Sequence, residues 1–330
     1  MQVDNMVQLA WFDRNIQNVH VPSFLNDLSL SEIFLHQAAL HKARPAVITL
    51  RRILNYGELV RDATSLAAYL QHQGVVAGTS VAILLPPGIE HVTCQVAILL
   101  AGGCILPLDP MLPDDQLNEM LQHSQTVLTI SDALTRRRFL DTRYIIFEQV
   151  TVADGNELDF TPQRHMMSQA THRLYPFGGH QLDKAKRIDA RDLVRQAQNS
   201  RHVHFTNEDR VACISSPTGE ASLFEIWGAL LNGAAAVIIP GIVVNDPARF
   251  ETALQQFAIS ILRVPSALFN LIASIRPRSF GQLEYLLVVG DNVNPHSLRR
   301  VLQFGPPRHF LYGDGTPAGS KLIPADSVEF

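Results

Sequence analysis

Short apolar runs alternate with stretches of helical period along most of this chain. That alternation restricts the fold more than any other feature. Residues 80–85 read as a strand closed by Pro86-Pro87, with the unbroken apolar character of a strand buried on both faces. A helix is expected over 91–100, then a break at Gly102-Gly103 and a strand over 104–108. Further short strands are expected over 126–130 and 144–147. Upstream, Ser29 to Ser31 offer N-cap hydroxyls for a helix near 33–41. Leu59, Ala63, Leu66 and Leu70 repeat at helical spacing until Gly74. The pattern returns after residue 200. A helix over 222–231 is stopped by Asn232-Gly233, and strands follow over 235–239, 261–264, 286–289 and 309–312. Pro265-Ser266 opens one intervening helix, and Asn294-Pro295 caps and starts another. The fold class expected is α/β, with two doubly wound lobes. Their expected extents are 29–150 and 201–330, with a leader or linker over 1–28 and an irregular, polar connection over 151–200.

The chain has 330 residues, enough for two lobes and a sizeable core. A net charge of −4 gives no reason to expect nucleic acid or a membrane surface as a partner. Cys94, Cys104 and Cys213 stand far apart among apolar neighbours and form no C-x-x-C pair. They read as small buried hydrophobes of a reducing compartment. Asp4 and Asp13 argue against a signal peptide, and Gln95, Gly102-Gly103 and Pro107 interrupt the most apolar stretch, 92–108. A cytoplasmic location is expected.

Four segments in order resemble the adenylation domains of nonribosomal peptide synthetases, within the adenylate-forming, or AMP-binding, superfamily. Leu54-Asn55-Tyr56-Gly57-Glu58-Leu59 is similar to the family's L-T-Y-x-E-L, and 99–113, LLAGGCILPLDPMLP, to its L-K-A-G-x-A-Y-V-P-L-D-P-x-Y-P. Residues 222–234 are similar to S-V-W-E-I-F-G-A-L-L-N-G-A. The fourth runs from Leu286 through Gly290 to Tyr312-Gly313, where the family has a strand, a glycine turn, a helix and Y-G-P-T-E. The strongest matches are structural positions. Leu108-Asp109-Pro110 reads as a turn after a strand. The resemblance implies the two-lobed N-terminal core of an adenylate-forming enzyme. The chain ends at Phe330, so the expectation is a core lacking the family's small C-terminal domain, with its lysine, and the preceding ribose-binding aspartate.

The same resemblance implies ATP and Mg²⁺ as cofactors if the chain is active, and it locates where the binding groups should be. The family's loop T-S-G-S-T-G-x-P-K-G wraps phosphates with hydroxyls, backbone N–H groups and a lysine. Residues 175–194, YPFGGHQLDKAKRIDARDLV, lie on that loop and its helix without a gap. Tyr175, Gly178 and Lys184 agree; Gly179 follows as a second glycine, and Gly178-Gly179 also reads simply as a turn. Between Pro176 and Ala185 there is no Ser or Thr. Each missing charge-assisted hydrogen bond forfeits about 1.5–3 kcal/mol. At Tyr312-Gly313-Asp314-Gly315-Thr316, Thr316 stands where the family's Mg²⁺-binding glutamate belongs, and a hydroxyl is a poor substitute. Asp314 is the candidate metal ligand that would compensate, or a turn residue beside Gly315.

On the substrate side, Glu220 occupies the position of the aspartate that pairs with a substrate ammonium. It reads equally as a helix-start acid favoured by the dipole. Phe224, Leu262, Leu287, Val289 and Leu311 would line an apolar pocket, or else are core. The vestigial nucleotide-binding set is Gly178, Gly179, Lys184, Gly290, Tyr312, Gly313 and Thr316. The function expected is a degenerate, inactive adenylation-type domain with a structural or docking role beside other domains of a peptide-synthetase assembly line. The leader over 1–28 resembles the linker between a condensation and an adenylation domain. The alternatives are an active adenylating ligase completed in trans and a non-catalytic small-molecule-binding module.

Overall fold

The computed structural model describes residues 29–135, 138, 142–151, 160–164, 166–175, 182–198, 203–290, 292–313 and 323–324. The chain opens with α1 (Leu30–Leu40), β1 (Pro45–Ile48), β2 (Ile53–Asn55) and α2 (Tyr56–His72). β3 (Ser80–Leu84), α3 (Ile89–Leu100), β4 (Cys104–Pro107), α4 (Asp114–His123), β5 (Leu128–Ser131), β6 (Arg143–Ile146) and α5 (Phe147–Thr151) follow. Then come β7 (Ala170–Leu174), β8 (Lys186–Asp189), α6 (Ala190–Gln198), β9 (Arg210–Cys213), α7 (Glu220–Leu230) and β10 (Ala235–Ile238). The last elements are α8 (Gly241–Val244), α9 (Pro247–Gln256), β11 (Ile261–Pro265), α10 (Ser266–Ile275), β12 (Tyr285–Val289), α11 (Pro295–Phe304), β13 (His309–Gly313) and β14 (Ile323–Pro324).

Local chemistry fixes the helix starts. Ser29 caps α1 and Asn55 caps α2, each through a reciprocal box with the glutamate three residues on, Glu32 and Glu58. Asp246 and Asn294 cap α9 and α11, each ahead of a proline in the first turn. Asp109 Oδ1 accepts from the Met111 N–H at 2.8 Å, which makes Leu108-Asp109-Pro110 the turn expected of it.

The strands form two sheets. One has eight strands in the order β14-β13-β12-β11-β9-β10-β1-β2, the other six in the order β6-β5-β3-β4-β7-β8. Pairing is parallel except for β1–β2, β13–β14 and β7–β8. One core cluster joins residues of both sheets, such as Ile83, Ile105, Val211 and Leu287, to α1, α2, α3, α6 and α7. Those helices are therefore a layer shared between the sheets. α9, α10 and α11 cover the other face of the larger sheet through Phe250, Phe269 and Val301, with Phe310 of β13 beneath them. α4 covers the smaller one through Leu117, Met120 and Leu121. Each fully buried Leu or Ile of these layers contributes roughly 1.5–3 kcal/mol of transfer free energy.

The expected α/β architecture with two sheets is present. Its division along the chain is different from the expected lobes. β1 and β2 precede residue 150 yet pair into the larger sheet, through Val47 and Ala236. The stretch 151–200 holds β7 and β8, which extend the smaller sheet, and α6. The three cysteines are free and buried, as read from their surroundings. Among the described residues no helix is long and apolar enough to cross a membrane.

Candidate functional site

In open parallel sheets, ligands bind beyond the carboxyl ends of the strands. Here β11, β12 and β13 end in register, Pro265 beside Val289 and Val289 beside Gly313. Gly290 follows with φ +122°, and a Cβ there would stand 2.8 Å from Ser266 Oγ. Its N–H donates to Gly313 O at 2.9 Å. The positive φ is what demands glycine at this position.

The N-terminus of α7 faces this end of the sheet and carries Glu220. Lys186 on β8 donates to Glu220 Oε1 at 2.6 Å, tying the edge of the smaller sheet to the start of α7. Both side chains are partly exposed, so the pair adds about 1 kcal/mol or less to stability. Its chemical consequence is neutralisation of the acid. Glu220 Oε2 is buried and has no hydrogen-bond partner among the described residues.

One turn further along α7, Glu225 is wholly buried. Its oxygens accept from the Ser215 N–H at 3.1 Å and from Ser215 Oγ at 2.6 Å. Burial drives its pKa up to about 7, against the pull of those bonds and of the nearby Arg263 charge. A void of about 20 Å³, room for a single water, separates Glu225 and Ser215 from His91 on α3. His91 is buried, its Nδ1 lies 3.2 Å from Leu85 O, and its Nε2 has no partner among the described residues. Burial lowers its pKa to about 4. Nearby, Trp227 Nε1 donates to Gln95 Oε1 at 3.1 Å and lies 3.3 Å from His172 Nε2, tying α7 to α3 and β7.

The sequence-derived candidates divide in their placement. Leu287 and Leu311 share a face turned to the shared helical layer, and Val289, two residues along β12, points the same way. Leu262 is a correction. It pairs in register with Leu286, and both belong to the core beneath α9–α11, on the opposite face. The residue of β11 on the pocket face is Arg263, paired with Leu287. Phe224 leans on Phe205, ring centroids 5.4 Å apart. Gly313 is buried, and Tyr312 packs at the margin of the outer core. The backbone of Lys184 lies in a short 3-10 turn, Leu182–Lys184. Gly178, Gly179, Asp314 and Thr316 lie outside the described residues. Tyr175, just before the loop, packs under α4 with its hydroxyl 2.7 Å from His123 Nδ1. Lys186, Glu225 and Arg263 escaped the sequence reading. A charged residue inside an apolar strand or helix was the available signal, and only Arg263 and Glu225 carry it.

These features define a member of the AMP-binding enzyme family. A family model described as AMP-binding enzyme matches residues 34–181 and 182–314, most of the chain, and the chain belongs to that family. It is an adenylation-type domain related to nonribosomal peptide synthetases. It is 31% identical over 297 residues to the nonribosomal peptide synthetase asaC of Aspergillus flavus, covering 89% of this chain and 29% of that protein. It is 31% identical to surfactin synthase subunit 2 of Bacillus subtilis, covering 87% of this chain and 8% of that protein. The chain thus spans under a third of these relatives. The N-terminal subdomain of Klebsiella oxytoca NpsA superposes with a TM-score of 0.82 at 22% identity, over 91% of this chain and 78% of that one. That likeness is one of fold.

Adenylation domains use ATP with Mg²⁺. The positions where the resemblance expects the phosphate loop and the magnesium-binding acid, 176–181 and 314–316, lie outside the described residues. Glu220, the acid facing the strand ends, is held by Lys186.

Proposed function

We propose that this chain is a degenerate adenylation-type domain that does not form adenylates at a useful rate and serves as a structural or docking element beside other peptide-synthetase domains. The observation that carries this reading is the Lys186–Glu220 pair at 2.6 Å. By family resemblance Glu220 is the acid that would receive a substrate ammonium, and its charge is already met inside the protein. The phosphate loop without hydroxyls weakens the nucleotide side independently. Adenylate formation needs charge-stabilising donors placed before the reaction begins, and several are replaced here. ATP–pyrophosphate exchange across a panel of amino and aryl acids, with ATP binding followed by calorimetry, tests this directly. Background exchange and no ATP heat are expected. Exchange above background would show an active ligase and overturn the proposal.

A second reading, a small-molecule-binding module without turnover, is favoured by one observation. The face bearing Leu287, Val289 and Leu311 keeps a cation, Arg263, whose guanidinium has no hydrogen-bonded partner among the described residues. Ligand-induced stabilisation without exchange would select this reading.

A further inference from the structure

The helices outside the larger sheet enclose a cleft remote from the strand ends. α10 leaves the carboxyl end of β11 at Ser266 and runs ten residues to Ile275, a length of about 15 Å. The chain then passes through a short 3-10 turn, Pro277–Phe280, towards the start of β12, and α11 ends at Phe304 shortly before β13. The cleft between these segments therefore lies at the opposite end of the strands from the candidate site. It has a volume of about 280 Å³ and is lined by Arg276, Arg278, Arg300 and Glu251, with Ile275 and Phe304 as apolar walls. Glu251 is fully engaged: Oε2 accepts from Arg276 at 2.7 Å and Oε1 from Ser279 Oγ at 3.1 Å. The side chains of Arg278 and Arg300 have no hydrogen-bonded partner among the described residues, and the Arg300 Nε is buried without one. α10 and α11 both end at the cleft, and each C-terminus carries about half a negative charge, so the two guanidiniums leave about one positive charge unmet. Gly305 packs so closely on the 3-10 turn that a Cβ there would stand 2.7 Å from the Arg278 Cα. That contact fixes the backbone of Arg278 against the end of α11 before any ligand arrives.

We propose that this cleft is a second binding site, for a small organic acid with an apolar body. The oxyanion, a carboxylate or a phosphate, sits between Arg278 and Arg300, whose planar forks match such a group edge-on. It supplies the acceptor that the buried Arg300 Nε lacks, and so removes the cost of leaving that donor unsatisfied. The body of the acid lies on Ile275 and Phe304, large apolar side chains that are 55% and 45% exposed. The cleft volume of about 280 Å³ stands at the lower end of small-molecule pockets, roughly 300–1,000 Å³. That room suits an aryl or short alkyl acid. The cleft shares no residue with the site at the strand ends, and it binds its acid whether or not that other site forms adenylates.

The full chain is titrated by calorimetry with phenyl phosphate, benzoate and hexanoate, and with benzamide and inorganic phosphate as contrasts. The best of the three organic acids is expected to bind at least tenfold more tightly than benzamide, which lacks the charge, and than inorganic phosphate, which lacks the apolar body. The order of phenyl phosphate and benzoate tells which oxyanion the cleft prefers. Arg278→Gln and Arg300→Gln are each expected to weaken that binding tenfold or more, and Arg300→Lys to keep part of it. Arg263→Met, at the strand ends, is expected to leave it unchanged. Thermal melts check that each variant is folded, and Arg278 is exposed, so its replacement leaves the core intact. Organic acids that bind no better than the contrasts would overturn the proposal. So would binding that survives both Arg278→Gln and Arg300→Gln, or that is lost with Arg263→Met instead, which would put the acid at the strand ends.

Discussion

At the scale of single residues, His91 and Glu225 face one small void with opposite electrostatic habits. Glu225 titrates near 7 when folded, against 4.5 as a free side chain. The folded state therefore holds its proton where the unfolded chain has lost it, and stability falls as pH rises from 4.5 to 7, by roughly 3 kcal/mol. His91 titrates near 4 when folded, against 6.5 free. The unfolded chain takes up that proton first, so this contribution rises between pH 4 and 6.5 and is complete above it. The two slopes cancel between about 4.5 and 6.5. Urea midpoints of the wild type should be nearly flat across that window. Glu225→Gln should become more stable with rising pH there, and His91→Leu less stable; parallel profiles for all three proteins would contradict the pairing. Neither residue was legible in the sequence. Helical spacing identifies which positions face inward, and it assumes that inward positions are apolar. Glu225 is buried because Ser215, ten positions earlier, supplies its donors, and spacing within a helix says nothing of that.

At the scale of elements, the segment Leu54 to Leu59, read first as a family signature, proves to be a helix start. Asn55 Oδ1 accepts from the Glu58 N–H at 2.8 Å, and Glu58 Oε2 accepts from the Asn55 N–H at 2.9 Å. Tyr56 then reaches across to donate to Ala234 O at 2.7 Å. Asn55→Ala should cost about 1 kcal/mol. Tyr56→Phe should cost a similar amount, about 1 kcal/mol, by stranding a buried carbonyl. Chemical denaturation of both single variants and the double tests whether they act independently. The long helices and the buried strands were readable because each carries several apolar side chains at one period. β1 and β2 were missed because strands of four and three residues show too few alternations. β7 and β8 were missed because His172, Arg173, Lys186 and Arg187 mask the period where the sheet approaches its edge. α4 was missed because it buries only Leu117, Met120 and Leu121.

At the scale of the whole molecule, the two sheets share one helical layer, and its polar centre is the meeting of Trp227, Gln95 and His172. Trp227→Phe removes the indole donor and leaves Gln95 and His172 facing a gap. A loss of about 2–4 kcal/mol is expected, with both sheets still melting in a single transition because their core is common. Calorimetry showing two separate transitions in the wild type would refute that coupling. The fold class was legible because it follows from the order of apolar runs. The candidate site was not, because Lys186, the pair Glu220 and Glu225, and Arg263 come from three elements, β8, α7 and β11, that only the topology brings together. The topology also imposes a schedule on biosynthesis. β1 finds its parallel neighbour at Ala236, far downstream of Val47. At ordinary rates of translation the early strand waits roughly ten to forty seconds for that partner to leave the ribosome. Until then its edge is open to any other strand. Two halves expressed separately and cut between residues 150 and 200 would inherit that exposed edge permanently, so co-expression of both halves, rather than either alone, is the way to obtain soluble material.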